Sequence, residues 1–335
     1  MARIGKPFIS ILMPTLNSGE KIKICLDSIA KQEYPRDKIE VIIVDGGSKD
    51  NTLEIAKNYS FVKIFETKLS GPEAGRAIAL KKAKGEFIAI IDSDNFLPNK
   101  KWLQEMIAPL LEDKSIIGSQ TLHYAHIKKE SLLNRYFALF GVNDPVVYYL
   151  GKADRMPYFD EKWHGPGIAV DKGTYFKVEF RNKEIPTMGS NGVVFRRKIY
   201  QKGKIDIDNC FHIDVIQDIV NLGYTRFAIV KNKIIHSTAI TLFGLIKKRI
   251  RYLNMYYAKG LKKRRYFVFN SRSFKDRINL LKFVFFTVTF IEPLSQSIRG
   301  FLKIHDLVWF FHPLICWLFL ITYSISFFFS FLKGN

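Results

Sequence analysis

Four short runs rich in apolar residues, each closed by a polar turn and set apart by helix-length segments, dominate the first hundred residues of this chain. Phe8 to Met13 reads FISILM, Glu40 to Val44 EVIIV, Phe61 to Phe65 FVKIF and Phe87 to Ile91 FIAII. Runs of this length bounded by turn residues are the pattern of strands buried on both faces. Helical patterns lie between them. One runs from about Glu20 to Gln32 with Ile22, Leu26 and Ile29 on one face, a second from Asp50 or Asn51 to Asn58, and a third, after Ser70-Gly71-Pro72, from Ala74 to Ala83. Asn17-Ser18 offers N-cap chemistry to the first, and Pro35 ends it. The order β-α-β-α-β-α-β predicts an α/β fold with a doubly wound, mostly parallel sheet.

Two of these runs end in acids. Strand alternation after Phe87 to Ile91 predicts that Asp92 and Asp94 leave on the same face, just past the C-terminal edge where open α/β sheets bind ligands. Two converging carboxylates repel unless a cation lies between them, and a divalent metal with phosphate oxygens answers that need. An Asp-rich turn with no metal is the structural alternative. The second run ends in Asp45-Gly46-Gly47-Ser48. It lacks G-x-G-x-x-G spacing, and its acid sits inside the turn, where it would repel a pyrophosphate. That argues against a dinucleotide-dependent oxidoreductase and for a hydrogen bond from Asp45 to a base or ribose.

The tail narrows the class further. The chain has 335 residues and a net charge of +21. Basic residues crowd Lys247 to Arg277, with Tyr252, Tyr256, Tyr257 and Phe267 interleaved and only Asp276 opposing them. A nucleic-acid patch can look like this. However, the run leads into two aromatic-rich apolar segments, Ile278 to Leu294 and Leu307 to Leu332. The second is 26 residues without a charge and long enough to span a bilayer; the first holds Lys282 and Glu292 and either spans or lies in the interface. A polybasic stretch before such segments fits anionic lipid on the cytoplasmic side and no nucleic-acid partner. The short apolar run near the N-terminus has no signal-peptide pattern, and three scattered cysteines suggest a reducing compartment. The expected division is a catalytic domain over 1–240, a basic juxtamembrane segment over 241–277, and a membrane hairpin over 278–335.

The middle is less patterned. The aromatic stretch SLLNRYFALFGVNDPVVYYLGKADR is expected to pack as core helix, and Asp144, Lys152, Asp154 and Arg155 form a charged cluster without a chemical signature. Thr187 to Arg197 is a Gly-rich turn leading into a short strand. Next comes His212-Ile213-Asp214, after which Val215, Ile219 and Leu222 fit a helix ending at Gly223, with Asp214 at its N-terminal end. His236 lies beyond a further strand, Phe227 to Val230.

The ordered blocks ISILMPTLN, EVIIVDGGSKDNT, GPEAGRAIALKKAKGE and FIAIIDSDN resemble the N-terminal half of the family 2 glycosyltransferases, strongly over residues 8 to 110 and more weakly to about 240. The resemblance implies a GT-A fold and an inverting, hexosyltransferase-type enzyme that uses a UDP- or GDP-sugar with Mg²⁺ or Mn²⁺. It implies that Pro14, Thr15, Asn17, Asp45, Gly46, Arg76 and Ser93 surround the nucleotide-sugar. Asp92 would touch ribose or metal and Asp94 would ligate the metal; Asn191 would line the donor sugar, and His236 would reach metal or diphosphate. Where members often read Ala-Arg-Asn, this chain has Gly75-Arg76-Ala77, which removes a polar contact. Where they carry Glu-Asp, it has His-Ile-Asp, so His212 or Asp214 is the expected base, Asp214 preferred. With a membrane segment, the implied acceptor is lipid-linked or a glycan held at the membrane. The alternatives are a polysaccharide synthase, although no QxxRW motif is present, and a basic membrane scaffold without catalysis.

Overall fold

The computed structural model describes residues 5–69, 71–181, 183–206, 210–238, 241–253 and 264–332, and the side chains of Tyr252 and residues 329–332 lie outside that description. Ser70, Tyr256, Tyr257, Lys259, Lys262 and Lys263 fall outside it too. The chain forms two compact units, Met1–Ala125 with Gly167–Ser237, and His126–Pro166 with Thr238–Asn335.

The first unit opens with β1 (Ile9–Thr15), α1 (Gly19–Ala30), β2 (Ile39–Asp45), α2 (Thr52–Lys57), β3 (Val62–Glu66), α3 (Pro72–Lys82) and β4 (Phe87–Ile90). A two-residue β5 (Asn95–Phe96), α4 (Trp102–Glu112) and β6 (Gly118–Tyr124) come next. The chain leaves for the second unit as α5 (Leu132–Phe140) and α6 (Pro145–Tyr149). It returns as β7 (Ile168–Asp171), β8 (Tyr175–Glu179), β9 (Val193–Arg196), α7 (Arg197–Tyr200), α8 (His212–Asn221) and β10 (Arg226–His236). The second unit closes with α9 (Leu242–Leu253), α10 (Phe274–Thr289), α11 (Ile291–Lys303) and α12 (His312–Leu332).

In the sheet the strand order is β3-β2-β1-β4-β9-β6-β10-β8-β7. The pairs among β1 to β4 are parallel, as the alternating pattern predicts. Beyond β4 the sheet is mixed: β9 runs antiparallel between β4 and β6, whereas β6 and β10 are parallel. Winding runs outward from β1 to β3 and then reverses to β4. The crevice between the C-terminal ends of β1 and β4 is therefore the topological switch point, where such sheets bind ligands.

Capping differs from the sequence reading. Ser18 makes no side-chain cap on α1; its hydroxyl instead pairs with that of Ser93 at 2.7 Å. The Ser18 and Gly19 N–H groups donate to Thr52 Oγ1 at 2.8 and 2.9 Å. A side chain from α2 thus satisfies donors that α1 leaves open, which locks the turns after β1 and β2 together. Leu222, expected on the buried face of α8, is exposed as its C-cap residue.

Glu40 anchors the other edge of the sheet. Its Oε1 accepts from Ser10 Oγ at 2.6 Å and the Lys84 N–H at 2.9 Å, and its Oε2 faces Lys63 at 2.7 Å. Burial works against its charge, but Lys63, Ser10 and Lys84 together hold the carboxyl below its usual range.

In the second unit, α5 and α6 carry a buried aromatic face, with Tyr136, Phe137, Phe140 and Val146 enclosed, the core packing expected of that stretch. Asp144 caps α6, Arg155 pairs with Asp154 at 2.6 Å, and Lys152 pairs with the buried Asp276 at 2.6 Å. Leu307–Phe328 is long and apolar enough to cross a membrane, with a mean hydropathy of 1.7. The segment before it is not one rod. It breaks at Phe290, where α10 and α11 meet at 77°, so the expected two-helix hairpin over 278–335 has three helices.

Glu40→Gln should lower stability at pH 7 by about 1–3 kcal/mol, the cost of a disturbed charged hydrogen-bond network. Because the folded carboxyl titrates below the unfolded one, its contribution is complete above about pH 4.3 and is lost as pH falls through the folded value. Denaturant titrations at pH 7 and pH 3 should show the wild-type advantage shrinking at the lower pH. An advantage that stays constant with pH would refute this role.

Candidate functional site

The site is built where β1, β2 and β4 end. Pro14 and Thr15 close β1, and Gly75 lets α3 approach them: a Cβ at Gly75 would lie 2.8 Å from Pro14 Cβ. That close approach carries Arg76, which is 7% exposed, to the loop after β4. There Arg76 Nη2 donates to both oxygens of Asp92, at 3.0 and 2.9 Å. Burial opposes the guanidinium charge, and the Asp92 carboxylate more than offsets it. Arg76 Nη1 lies 3.5 Å from His212 Nδ1, and its buried Nε has no partner among the described residues.

The two acids do not leave the sheet as a pair. β4 ends at Ile90, so Asp92 and Asp94 sit in a turn rather than on an alternating strand. Asn95, fully buried, clasps that turn. Its Oδ1 accepts from Asp92 N–H at 3.2 Å, its own N–H donates to the Asp92 carbonyl at 2.9 Å, and its Nδ2 donates to Asp94 Oδ1 at 3.1 Å. Asp92 is thereby turned to Arg76, and Asp94 Oδ2 faces His236 Nε2 at 3.5 Å. The Asp94 side chain is 32% exposed and that of His236 12%.

His236 arrives because β10 runs on past an irregularity between Val230 and Lys233 and pairs with Asn95 through β5. The ring of Tyr124, at the end of β6, lies 5.5 Å from the His236 ring, and its hydroxyl accepts from Asn191 Nδ2 at 3.1 Å. Asn191 stands at φ 57 in a turn where Gly189 has φ 115, a left-handed backbone that Asn tolerates better than most residues. A Cβ at Gly189 would meet Ile216 at 2.5 Å and His212 at 3.0 Å, so this turn packs on the start of α8. There His212 is half-buried and Asp214, in the first helical turn, is fully buried; the N-cap itself is Phe211.

Asp45 closes its own turn. It accepts from the Gly47 and Ser48 N–H groups at 2.8 and 2.7 Å and from Ser48 Oγ at 2.5 Å. Ser48 Oγ in turn accepts from Asn17 N–H at 2.8 Å, and Asn17 Oδ1 accepts from Lys49 N–H at 2.9 Å. The turns carrying Thr15, Asn17, Asp45 and Gly46 are therefore a single laced rim beside the acids.

Asn95 and Tyr124 are the residues the sequence reading passed over. Asn95 adjoins the two acids, which is a usable signal; Tyr124 carries none. Among the described residues, no three of His, Cys, Asp and Glu converge into a ready-made metal cage. Cys25 lies under the acidic turn, its thiol donating to the Asp92 carbonyl at 3.8 Å. Burial, and then the charges of Asp94 and Asp92, push its pKa well up, which makes it unreactive.

Residues 10–202 match the family described as Glycosyl transferase family 2. The chain is 40% identical over 183 residues to the poly(ribitol-phosphate) beta-N-acetylglucosaminyltransferase TarS of Staphylococcus aureus, covering 52% of this chain and 30% of that protein. It is 33% identical over 109 residues to the glycosyltransferase AglE of Haloferax volcanii, covering 31% of this chain and 36% of that one. The chain thus spans about a third of the length of these relatives. Among solved structures, the mannosyltransferase PcManGT of Pyrobaculum calidifontis, in complex with GDP-Man and Mn²⁺, shares the fold at a TM-score of 0.53. Its sequence identity is 16%, and the match covers 96% of this chain and 87% of that one.

A double-mutant cycle on Arg76→Ala and Asp92→Ala should return a coupling of about 0.5–3 kcal/mol in unfolding free energy, the range for residues in contact within one ion-pair network. Coupling near zero would show that the pair does not hold the turn.

Proposed function

Because this chain belongs to the family 2 glycosyltransferases, we propose that it transfers a sugar with inversion from a UDP- or GDP-sugar to a membrane-borne, lipid-linked acceptor. The reading also takes Mg²⁺ or Mn²⁺ to be held at Asp94. The observation that carries it is the parting of the two acids: Arg76 takes Asp92, while Asp94 stays part-exposed beside His236. These ions bind proteins through one or two carboxylates completed by substrate phosphates, so a two-residue seat fits a metal that shares its ligands with a diphosphate. A bound metal would stabilise the charge on the departing diphosphate.

The chain's own residues have distinct tasks in this reading. The rim of Thr15, Asn17, Asp45 and Gly46 seats the nucleoside, with Asp45 acting as a positioning residue through the turn it closes. Arg76 holds Asp92 and faces His212. The base role goes to Asp214, a carboxylate in the first turn of α8, with His212, 3.5 Å from Arg76 through Nδ1, as the alternative. Asn191 and Tyr124 border the sugar. Placement on the cytoplasmic face of the cell membrane rests on the apolar Leu307–Phe328 helix and the basic sequence before it. The net charge of +21 and the named substrate of TarS favour a second acceptor, a soluble polyanionic glycan. Whether labelled product extracts into organic solvent separates the two.

A thermal-shift screen of nucleotide-sugars with Mn²⁺ should identify one UDP- or GDP-sugar that stabilises the protein. With that donor, Asp214→Asn should lower kcat by about 10²–10⁴-fold, the range for losing a general base, with donor KM little changed. His212→Gln should cost less. Near-normal turnover in Asp214→Asn would reject the assignment.

A further inference from the structure

Each of the three C-terminal helices of the second unit buries polar side chains and turns several large apolar ones outward. In α11 the buried positions are Pro293, Gln296, Ser297 and Gly300, whereas Ile291, Leu294, Ile298 and Leu302 are 43–68% exposed. These four recur at i, i+3, i+7 and i+11, one continuous helix stripe. In α10 the buried set is Asp276, Phe283 and Thr287, while Leu281, Phe285 and Val288 are exposed. In α12, His312 and Thr322 are buried with Ile315, Cys316 and Phe319, and Leu314, Ile321 and Ile325 are exposed. Water favours the opposite arrangement, and an apolar surface of this extent marks a contact with membrane or protein.

Three observations choose lipid and limit its depth. First, α10 and α11 are about 24 and 20 Å long by helical rise and meet at 77°, so neither crosses a hydrocarbon core of about 30 Å. Second, α12 is tied to protein along its length. Near its start, Tyr136 OH donates to His312 Nδ1 at 2.9 Å, and His312 Nε2 donates to Gln296 Oε1 at 2.8 Å. Three turns later the Tyr323 hydroxyl donates to Asp144, whose carboxylate lies 3.6 Å from Arg249. If α12 crossed the bilayer it would draw Asp144 and Arg249 into the hydrocarbon, which is costly for charged groups. Third, Lys275, Arg277 and Lys282 are exposed on α10, the charge complement of an anionic headgroup layer, while Arg299 and Lys303 on α11 are balanced by Glu292 and Glu161.

We infer that α10, α11 and α12 insert into a single leaflet of an anionic membrane, so that the chain is monotopic and none of the three crosses. This deepens the membrane placement proposed above and does not depend on the donor site.

The test uses the full chain expressed in bacteria, carrying His305→Cys and, separately, a C-terminal epitope tag. The three native cysteines are buried, so background labelling is low. Both markers should be reached by impermeant maleimide or antibody in inverted vesicles and by neither in intact spheroplasts. Reaction of either marker from the outside would overturn the inference. The Ile298→Glu/Leu302→Glu variant should lose membrane association at least tenfold while hydrolysing donor sugar at the wild-type rate. Full membrane retention by that variant would also overturn it, as would a wild-type chain that ignores anionic vesicles and buries the stripe in a stable dimer. Asp94→Asn should still bind vesicles, so failure of the transferase reading and failure of this one are told apart.

Discussion

Two carboxylates two residues apart, just past the end of a buried strand, repel each other unless each has its own partner. In this protein the Asn95 clasp parts them, giving Asp92 to Arg76 and turning Asp94 toward His236. Much of the site depends on that division. Gly75 is needed so that α3 can bring Arg76 within reach, and β10 runs on past an irregularity so that His236 can meet Asp94. Asp92 is paired with Arg76 within the protein, and Asp94 stands part-exposed with Asn95 and His236, beside a rim whose own acid, Asp45, closes its turn.

The parallel half of the fold was legible because strands buried on both faces are written as local runs, and β1, β2 and β4 lie almost where FISILM, EVIIV and FIAII put them. In the mixed half the short strands at β9 and the start of β10 were legible but their pairing was not, because β9 enters between β4 and β6 from about a hundred residues downstream, and such pairing leaves no local pattern. Alternation misplaced the two acids for a definite reason: β4 stops at Ile90, and beyond it turn hydrogen bonds, not pleating, aim the side chains. Asp45, which the sequence points toward a base or ribose, accepts from three donors of its own turn, a closure the sequence does not announce. Tyr124 matters through its contacts with Asn191 and His236, which no spacing encodes.

The tail repeats the lesson. Composition found its apolar character, yet it joined into one segment what the chain breaks at Phe290. Pro293 was the available sign, since proline is tolerated in the first turn of a helix and not in its interior. What composition could not supply is which side of each helix faces protein, and there Gln296, Ser297, His312 and Tyr323 are turned inward.

The division of labour between the acids is open to one direct measurement: Mn²⁺ affinity, by titration calorimetry or electron paramagnetic resonance, of the protein saturated with its nucleoside diphosphate. Asp94→Asn should abolish measurable Mn²⁺ binding, and Asp92→Asn should leave the affinity within a few-fold of wild type. The reverse order, or equal losses in both, would contradict the account, because Asp92 would then be a metal ligand rather than the partner of Arg76.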